Sequence, residues 1–272
     1  AQNYGISVIL TTHSPNVVRS LPASAQVVWM KDGRVAATGE DVRNKMGWGV
    51  LDKSIILISE DSEPIELREL LQQWPELNRN VVVWPVNGKK SLPTKESCEN
   101  LLQMTGMRHN VQHRDGDFMT KAERNKMGEK YNAENVHLWI TSSSDIESEF
   151  LAVDRVSRIF GLEVDEVQRI YNEIYSESAD EFENSFASKR QELAEDRKLY
   201  SHRDIAPQVA NARQQIPKGI EKFNIIHGKK FSKKLKYKLN DRRLNVRQLF
   251  RLQESENKLA SSLRKLLAEL SE

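Results

Sequence analysis

The sequence predicts an α/β protein in which helices cover a mostly parallel β-sheet, followed by a largely helical C-terminal region. Between residues 54 and 140, short apolar β-branched runs alternate with helical stretches, and this alternation is typical of parallel sheets. After residue 144, polar stretches with apolar residues at helical spacing replace the strand pattern. The 272 residues, 38% of them hydrophobic, can fill one large core or two smaller ones.

The N-terminal region predicts a small β unit. Residues 6–10 are an apolar run typical of a buried strand, and a polar turn that contains His13 follows it. Residues 27–30 predict a second strand. Asp32 and Gly33 predict a hairpin turn because both tolerate positive φ, and residues 35–38 return as a third strand.

Gly47 and Gly49 make the backbone conformationally freer and predict a domain boundary just before Asp52. The chain begins at Ala1 without a methionine, directly before a strand-like run. We therefore expect three parts, at residues 1–51, 52–151 and 152–272, and an N-terminus that was cut from a longer chain.

In the central part, predicted strands alternate with predicted helices. Predicted strands lie at residues 54–59, 81–84, 108–112 and 136–140, and predicted helices at residues 65–74, 94–104 and 121–131.

Three acidic loops follow predicted strands of this central part. They contain Glu60, Asp61 and Glu63, then Asp115 and Asp117, then Asp145, Glu147 and Glu149. The carboxyl ends of parallel strands share one edge of a sheet, where ligands bind. Converging carboxylates repel one another unless a cation neutralises them, and oxygen ligands without cysteine select Mg²⁺ or Mn²⁺. The alternative is that each acidic residue only caps a helix N-terminus.

Basic residues are concentrated near the C-terminus. Residues 202–251 contain fourteen Lys or Arg and three Asp or Glu. We expect five lysines there to contact nucleic-acid phosphates: Lys229, Lys230, Lys233, Lys234 and Lys236. The alternative is a solvated helix face, or one that pairs within the chain with the acidic helical stretch at residues 163–198.

Bulk properties constrain the protein only loosely. The formal net charge is +2, so overall charge does not identify a partner. The single cysteine, Cys98, cannot form an internal disulfide, which favours a reducing, cytoplasmic location. No run of about 18 apolar residues predicts a membrane span, so we expect no membrane partner.

The order of these motifs resembles the Toprim domain of the overcoming-lysogenization-defect (OLD) family of nucleases. The strand Ile-Ile-Leu-Ile-Ser before Glu60 resembles the first Toprim motif, and the turn at Gly88 resembles the glycine turn after the second strand. His113-Arg-Asp115-Gly-Asp117 resembles the Asp-x-Asp motif, and Ser-Asp145-Ile-Glu147 resembles the downstream acidic motif of OLD nucleases. The resemblance covers roughly residues 54–151.

Two positions depart from the family pattern. Asp61 stands where a glycine usually follows the Toprim glutamate, and this adds a charge to the turn. His113 stands where many relatives have an aspartate. Its imidazole replaces one metal ligand, contacts phosphate or has a structural role, and the sequence leaves these alternatives open.

The N-terminal region resembles the last strands of an ABC-type ATPase head, in which His13 would be the histidine that senses the γ-phosphate. The chain contains no G-x-x-x-x-G-K-[ST] phosphate loop. ATP would therefore matter only in a complete head, and this chain alone should not hydrolyse it.

These resemblances imply a Mg²⁺- or Mn²⁺-dependent endonuclease that hydrolyses DNA, with Glu60, Asp115, Asp117 and Glu147 as catalytic metal ligands. Asp145 would be a further ligand, and Asp61, Glu63 and Glu149 are supplementary candidates. Membership of the OLD family further implies gating by ATP, a homo-oligomer formed through the ATPase head, and a role in anti-phage defence with a partner of that system. The alternatives are RNA or tRNA cleavage, or a catalytically impaired module that binds nucleic acid.

Overall fold

The fold is taken from a computed structural model of the chain. It describes residues 8–14, 17, 25–38, 53–195, 205–216, 225–252 and 259–271. The chain divides into two compact units, Ala1–Lys53 and Ser54–Glu272.

The first unit contains the predicted hairpin. Strands β1 (Val28–Lys31) and β2 (Arg34–Thr38) pair antiparallel, with a register shift between Trp29 and Met30. The turn has positive φ at Asp32 (52°) and Gly33 (73°), which confirms the Asp-Gly turn.

The strand predicted at residues 6–10 is wrong where it can be checked. Residues 8–10 are not a strand, and Val8, Ile9 and Leu10 are exposed. An apolar β-branched run becomes a strand only when a neighbouring strand pairs with its backbone, and these residues pair with no strand in the described part of the unit. Residues 6 and 7, and the boundary predicted at Gly47 and Gly49, lie outside the described residues.

The second unit contains a four-stranded parallel sheet, which confirms the predicted α/β class. Its strands are ordered β4-β3-β5-β6, and every pair within it is parallel. Their bounds are Ile55–Ser59 for β3, Val81–Pro85 for β4, His109–Arg114 for β5 and Val136–Ile140 for β6.

Helices cover both faces of this sheet because β3 is apolar on both sides. Ile55 and Leu57 pack with the buried leucines of α1 (Ile65–Gln72), whereas Ile56 and Ile58 pack with Cys98 of α3 (Lys95–Thr105). Short helix α2 (Pro75–Asn78) and helix α4 (Lys121–Tyr131) complete the alternation.

Two predicted boundaries need correction. The helix expected at residues 65–74 ends at Gln72, because Pro75 begins the separate short helix α2. Strand β5 continues to Arg114, so His113 belongs to the strand and not to the loop that follows it. Burial explains this second difference, since the His113 ring packs 4.9 Å from the Trp139 ring of β6.

The chain after the sheet is helical, as predicted. A 3-10 helix (Ile146–Phe150) leads into α5 (Val153–Phe160) and the long α6 (Val164–Glu195). In the described part of the chain beyond α6, three more α-helices follow: α7 (Ile205–Gln215), α8 (Gly228–Asp241) and α9 (Ser261–Ser271). Among the described helices, each is too short or too polar to cross a lipid bilayer.

The helical region has a core of its own and also contributes to the core on the sheet. Tyr171 and Tyr175 of α6 contact Phe231 of α8 in one core, while Leu263 and Leu267 of α9 join α1 in the core on the sheet. The buried Arg155 guanidinium donates to the carbonyls of Phe150, Leu249 and Arg251. This arginine ties the segment before α9 to the 3-10 helix that follows the sheet.

Candidate functional site

The acidic loops meet at one edge of the sheet because the strands end level with one another. In the register, Ser59 pairs with both Pro85 and His113, and His113 pairs with Trp139. Glu60 is therefore the first residue beyond β3, and Asp115 is the first beyond β5.

The turn at Gly88 is bound to this edge through the backbone. The Gly88 amide donates to the Glu60 carbonyl at 2.7 Å, and the Val86 amide donates to the Ser59 carbonyl at 2.8 Å. Gly88 thus shapes the loop beside Glu60, and it has no side chain to contribute a ligand.

The loop from Asp115 to Asp117 requires a small residue between its two aspartates. The Gly116 amide donates to Thr141 Oγ1 at 2.7 Å, and a Cβ on Gly116 would overlap the Ser143 carbonyl and lie 2.8 Å from the Thr141 carbonyl. The loop crosses directly over the chain that leaves β6. This close crossing brings Asp115 toward the third acidic loop.

The second half of this loop is held by α6. Asp117 and Phe118 have φ values of 46° and 62°, a conformation that side chains adopt only when other contacts enforce it. Buried Arg190 supplies such contacts, since it donates to the Phe118 carbonyl at 3.2 Å and forms a bidentate pair with Glu123 at 2.7 Å. Lys189 Nζ lies 2.9 Å from Asp117 Oδ1.

Glu60 and Asp115 interact directly. Burial, and then the charge of Asp117, raise the pKa of Glu60, although a hydrogen bond with Asp115 opposes this. Burial and the negative charges of Glu60, Asp145 and Glu147 raise the pKa of Asp115 well above its ordinary value. Without a cation, these two carboxyl groups therefore favour holding protons over carrying two adjacent charges.

His113 lies beneath Asp115 and is fully buried. Its Nδ1 is 3.4 Å from Ser59 Oγ, and its Nε2 is 3.8 Å from Asp115 Oδ1. Burial lowers the pKa of His113 to about 3, so the ring is neutral at physiological pH. Because the imidazole is 0% exposed, the suggested phosphate contact is not open to it in this structure, while its unpaired Nε2 points at Asp115.

Both carboxylate oxygens of Asp145 accept hydrogen bonds from other groups of the protein. Its Oδ1 accepts from Ser148 and from the Gly228 amide at 3.1 Å, while its Oδ2 accepts from the Lys229 amide at 3.0 Å and lies 3.4 Å from His227 Nδ1. Although burial opposes ionisation, hydrogen bonds from His227, Lys229 and Ser148 lower the pKa of Asp145 below its ordinary value. Asp145 thus anchors the start of α8 at the site, and it also caps its own 3-10 helix as the helix-capping alternative expects.

This anchor places Lys229 beside the acidic residues. Lys229 Nζ is 3.8 Å from Glu147 Oε1, and its side chain is largely exposed. The charge of Glu147, followed by those of Asp61 and Asp115, raises the pKa of Lys229 against the effect of burial. Lys229 is therefore a cation at the mouth of the acidic site.

Glu147 is a much weaker acid in this environment than an ordinary glutamic acid. Burial, together with the charge of Asp145, raises the pKa of Glu147 to about 8. Burial also raises the pKa of Asp61, although Lys229 opposes the shift. Glu60, Asp61, Asp115 and Glu147 thus form one electrostatic cluster, and Asp117 influences it through Glu60.

Two of the suggested supplementary ligands have other surroundings. Glu63 is exposed on the loop before α1. Glu149 accepts from Ser142 Oγ at 3.1 Å and from the Ala260 amide at 3.2 Å. Glu149 thus fixes the chain just before α9 and is not directed at the cluster.

The expected basic surface divides into different environments. Lys234 pairs with Glu181 of α6 at 2.7 Å, in line with the alternative of pairing within the chain, and Lys236 Nζ lies 4.3 Å from the centre of the Phe250 ring. Lys233 is exposed, Lys230 is half-buried and Lys229 lies at the acidic cluster.

Sequence reasoning missed three residues of this site. Glu66, in the first turn of α1, has a pKa raised by burial and then by Asp61, and it also interacts with Glu147. Lys189 and His227 contact Asp117 and Asp145 from segments more than 70 residues away. The position of Glu66 just after the first acidic loop was a usable signal, whereas nothing local marked Lys189 or His227.

Replacing Gly228 by alanine should detach α8 from Asp145. A methyl group there would overlap Asp145 Oδ1 and Ser148 Oγ and lie 2.6 Å from the Ser148 amide. We expect Gly228→Ala to lower the free energy of unfolding by about 1–3 kcal/mol, measured by urea denaturation.

Gly128→Ala is the matched control, because a methyl group within α4 meets only Asn132 Nδ2 at 3.5 Å. That variant should gain about 0.5–1 kcal/mol from reduced chain entropy. Equal stability of the two variants would contradict the close packing at Gly228.

The cluster fits a hard dication in its donor chemistry, but it is not assembled as a metal centre. Carboxylates dominate it, and Glu60 Oε2 is buried without a hydrogen-bond partner. Among the described residues, however, no group of three or more His, Cys, Asp or Glu side chains is arranged to hold a metal ion. A dication would need these side chains to move closer together.

His13 is exposed in the first unit, in a segment without regular structure, where the Ser14 amide donates to Thr12 Oγ1.

No protein-family model, curated protein or solved structure matches this chain. The geometry of the second unit and the sequence motifs therefore provide the indications of function.

Proposed function

We propose that the chain is a divalent-metal-dependent nuclease that hydrolyses phosphodiester bonds of DNA. The observation that supports this most strongly is the gathering of Glu60, Asp115 and Glu147, from the segments that follow three separate strands, into one cluster. Capping of individual helices does not account for charges that raise one another's pKa across the sheet edge.

In this proposal Glu60, Asp115, Asp117 and Glu147 hold Mg²⁺ or Mn²⁺, and Asp61 is a supplementary ligand. The bound metal would activate a water molecule and neutralise charge on the phosphate. Asp145 is a positioning residue in this scheme, because protein donors already occupy both of its oxygens.

The chain's own residues supply orientation and positive charge. Asp145 holds the first amides of α8, so the Lys229 ammonium group projects at the open side of the cluster. There it can bind a non-bridging oxygen of the phosphate and stabilise negative charge that grows during the reaction. Buried, neutral His113 supports Asp115 from below without adding charge.

A second candidate is a catalytically impaired module that binds nucleic acid or regulates a partner. It is favoured by the absence of an assembled metal group among the described residues and by Lys189, which already neutralises Asp117. In this case the basic residues bind the nucleic acid or partner, and the acidic cluster has no catalytic role.

The resemblance to OLD proteins extends the proposal. It suggests that residues 52–151 are a Toprim core followed by a helical subdomain, that residues 1–51 belong to an ABC-type ATPase head, and that the assembled protein is an oligomer acting in phage defence. These roles rest on analogy with the family, because a fold alone does not determine function.

Parallel incubation with plasmid DNA and with RNA tests the main proposal. We expect Mn²⁺ or Mg²⁺ to support DNA cleavage that EDTA stops, and Glu60→Gln to lower the rate more than about 100-fold, beyond the range seen for partners of metal ligands. Glu129→Gln removes an exposed carboxylate of α4 and is the control.

The comparison separates the candidates. Cleavage confined to RNA would move the proposal to RNA or tRNA substrates. Tight DNA binding without cleavage by any metal would support the impaired module.

A further inference from the structure

A polar cavity lies between α6 and the start of α8, beside the acidic cluster. It has a volume of about 410 Å³ and is lined by Lys189, Lys230 and His227, together with Glu181, Glu192 and three uncharged polar residues. Two of these residues connect it to the cluster, since Lys189 contacts Asp117 and His227 contacts Asp145.

The acidic residues of this cavity are already neutralised from within the chain. Glu181 pairs with Lys234 at 2.7 Å. Glu192 pairs with Lys89 and lies 3.4 Å from Lys189. The carboxylates therefore leave little net negative charge to repel an anion that enters the cavity.

Lys230 differs from its neighbours on α8. Lys234 and Lys238 pair with glutamates of α6, whereas the Lys230 ammonium group forms no ion pair or hydrogen bond with a residue in the described ranges and acts on Glu181 only through its charge. It is half-buried, so part of its stem is already held in place. Because Glu181 is already paired with Lys234, the N–H donors of the Lys230 ammonium group remain available to a ligand anion.

We propose that this cavity binds a phosphate of the nucleic-acid strand next to the phosphate that is cleaved, with Lys230 as its main contact and Lys189 and His227 beside it. Lys229 and Lys230 are consecutive at the start of α8, with Lys229 at the acidic cluster and Lys230 at the cavity. One strand can therefore pass from the cluster into the cavity. This inference rests on the proposed function, because it assigns the cavity to the same substrate.

Binding of a fluorescent single-stranded DNA, followed by anisotropy in EDTA, tests the cavity without requiring cleavage. We expect Lys230→Ala to weaken binding about tenfold, as for loss of one charged hydrogen bond. The slope of log Kobs against log salt should fall in magnitude by about 0.7, the value for one phosphate contact with a single strand. Lys230→Arg should restore both quantities.

Lys265→Ala is the matched control, because Lys265 is an exposed lysine of α9 that does not line the cavity. If Lys230→Ala and Lys265→Ala have the same affinity and salt slope, or if the wild type does not bind the strand, the inference is overturned. If the wild type cleaves DNA with none of the metals tested, but Lys230→Ala still weakens DNA binding, the nuclease proposal is rejected and the strand-binding site is retained.

Discussion

Asp115→Asn is expected to abolish metal-dependent cleavage and, in EDTA, to make the protein more stable than the wild type. Burial, and then the charges of Glu60, Asp145 and Glu147, raise the pKa of Asp115, so ionisation of this carboxyl group destabilises the folded state at neutral pH. Asparagine removes the ionisable group and keeps an oxygen for the Ile146 amide, which donates to Asp115 Oδ1 at 3.2 Å.

Thermal unfolding in EDTA and in Mg²⁺ measures both effects. In EDTA the melting temperature of Asp115→Asn should rise, by about 2–4 °C for each kcal/mol gained in a domain of this size. Added Mg²⁺ should stabilise the wild type, because a ligand that binds only the folded state raises its stability, and should stabilise the variant much less.

Asp154→Asn, at an exposed position in the first turn of α5, provides the comparison: it should not raise the melting temperature in EDTA and should not change the stabilisation by Mg²⁺. A lower melting temperature for Asp115→Asn in EDTA would show that the carboxylate stabilises the fold. Repulsion between Asp115 and the neighbouring carboxylates would then not destabilise the folded state.

The second large effect is expected in the pH dependence of stability. The pKa of Glu147 rises from 4.5 to about 8, mainly through burial and then through Asp145. Between these values the folded state binds more protons than the unfolded state, so the stabilisation is complete below about pH 4.5 and is lost as the pH rises through 8.

Urea denaturation in EDTA between pH 5 and 9 measures this loss. Glu147 alone contributes a decrease of at most about 1.4 kcal/mol per pH unit, and Glu147→Gln should remove that contribution. His113 acts in the opposite direction below pH 6.5, because its lowered pKa of about 3 makes stability rise with pH there. The difference between variant and wild type isolates Glu147.

Glu163→Gln, which removes an exposed carboxyl group before α6, should leave the wild-type slope in place. A Glu147→Gln profile parallel to that of the wild type from pH 6 to 8 would show that Glu147 is already ionised there. It would also remove the electrostatic support for Glu147 as part of the cluster.

Much of the second unit could be predicted because its elements carry strong local signals. The apolar run at β3 is buried on both faces, and Thr120 and Glu123 form a capping box at the start of α4. The segment at residues 8–10 has an equally apolar β-branched pattern but is not a strand. Local pattern indicates that a strand can form, and only a pairing partner makes one.

The candidate site was predicted less completely than the sheet. The acidic loops could be placed at one edge because parallel strands direct their carboxyl ends the same way. The separate roles of the acidic residues could not be predicted, since Asp145, Glu147 and Glu149 lie within five residues and have three different environments.

The sequence by itself determined the α/β class, the four parallel strands and the positions of the acidic residues just after them, because strand period and turn chemistry are local properties. Tertiary structure alone decided that Asp145 holds α8 more than 80 residues later, that Lys189 neutralises Asp117, and that Lys234 pairs with α6. Such ion pairs and hydrogen bonds depend on distances of a few ångströms between remote segments, and no short stretch of sequence encodes those distances.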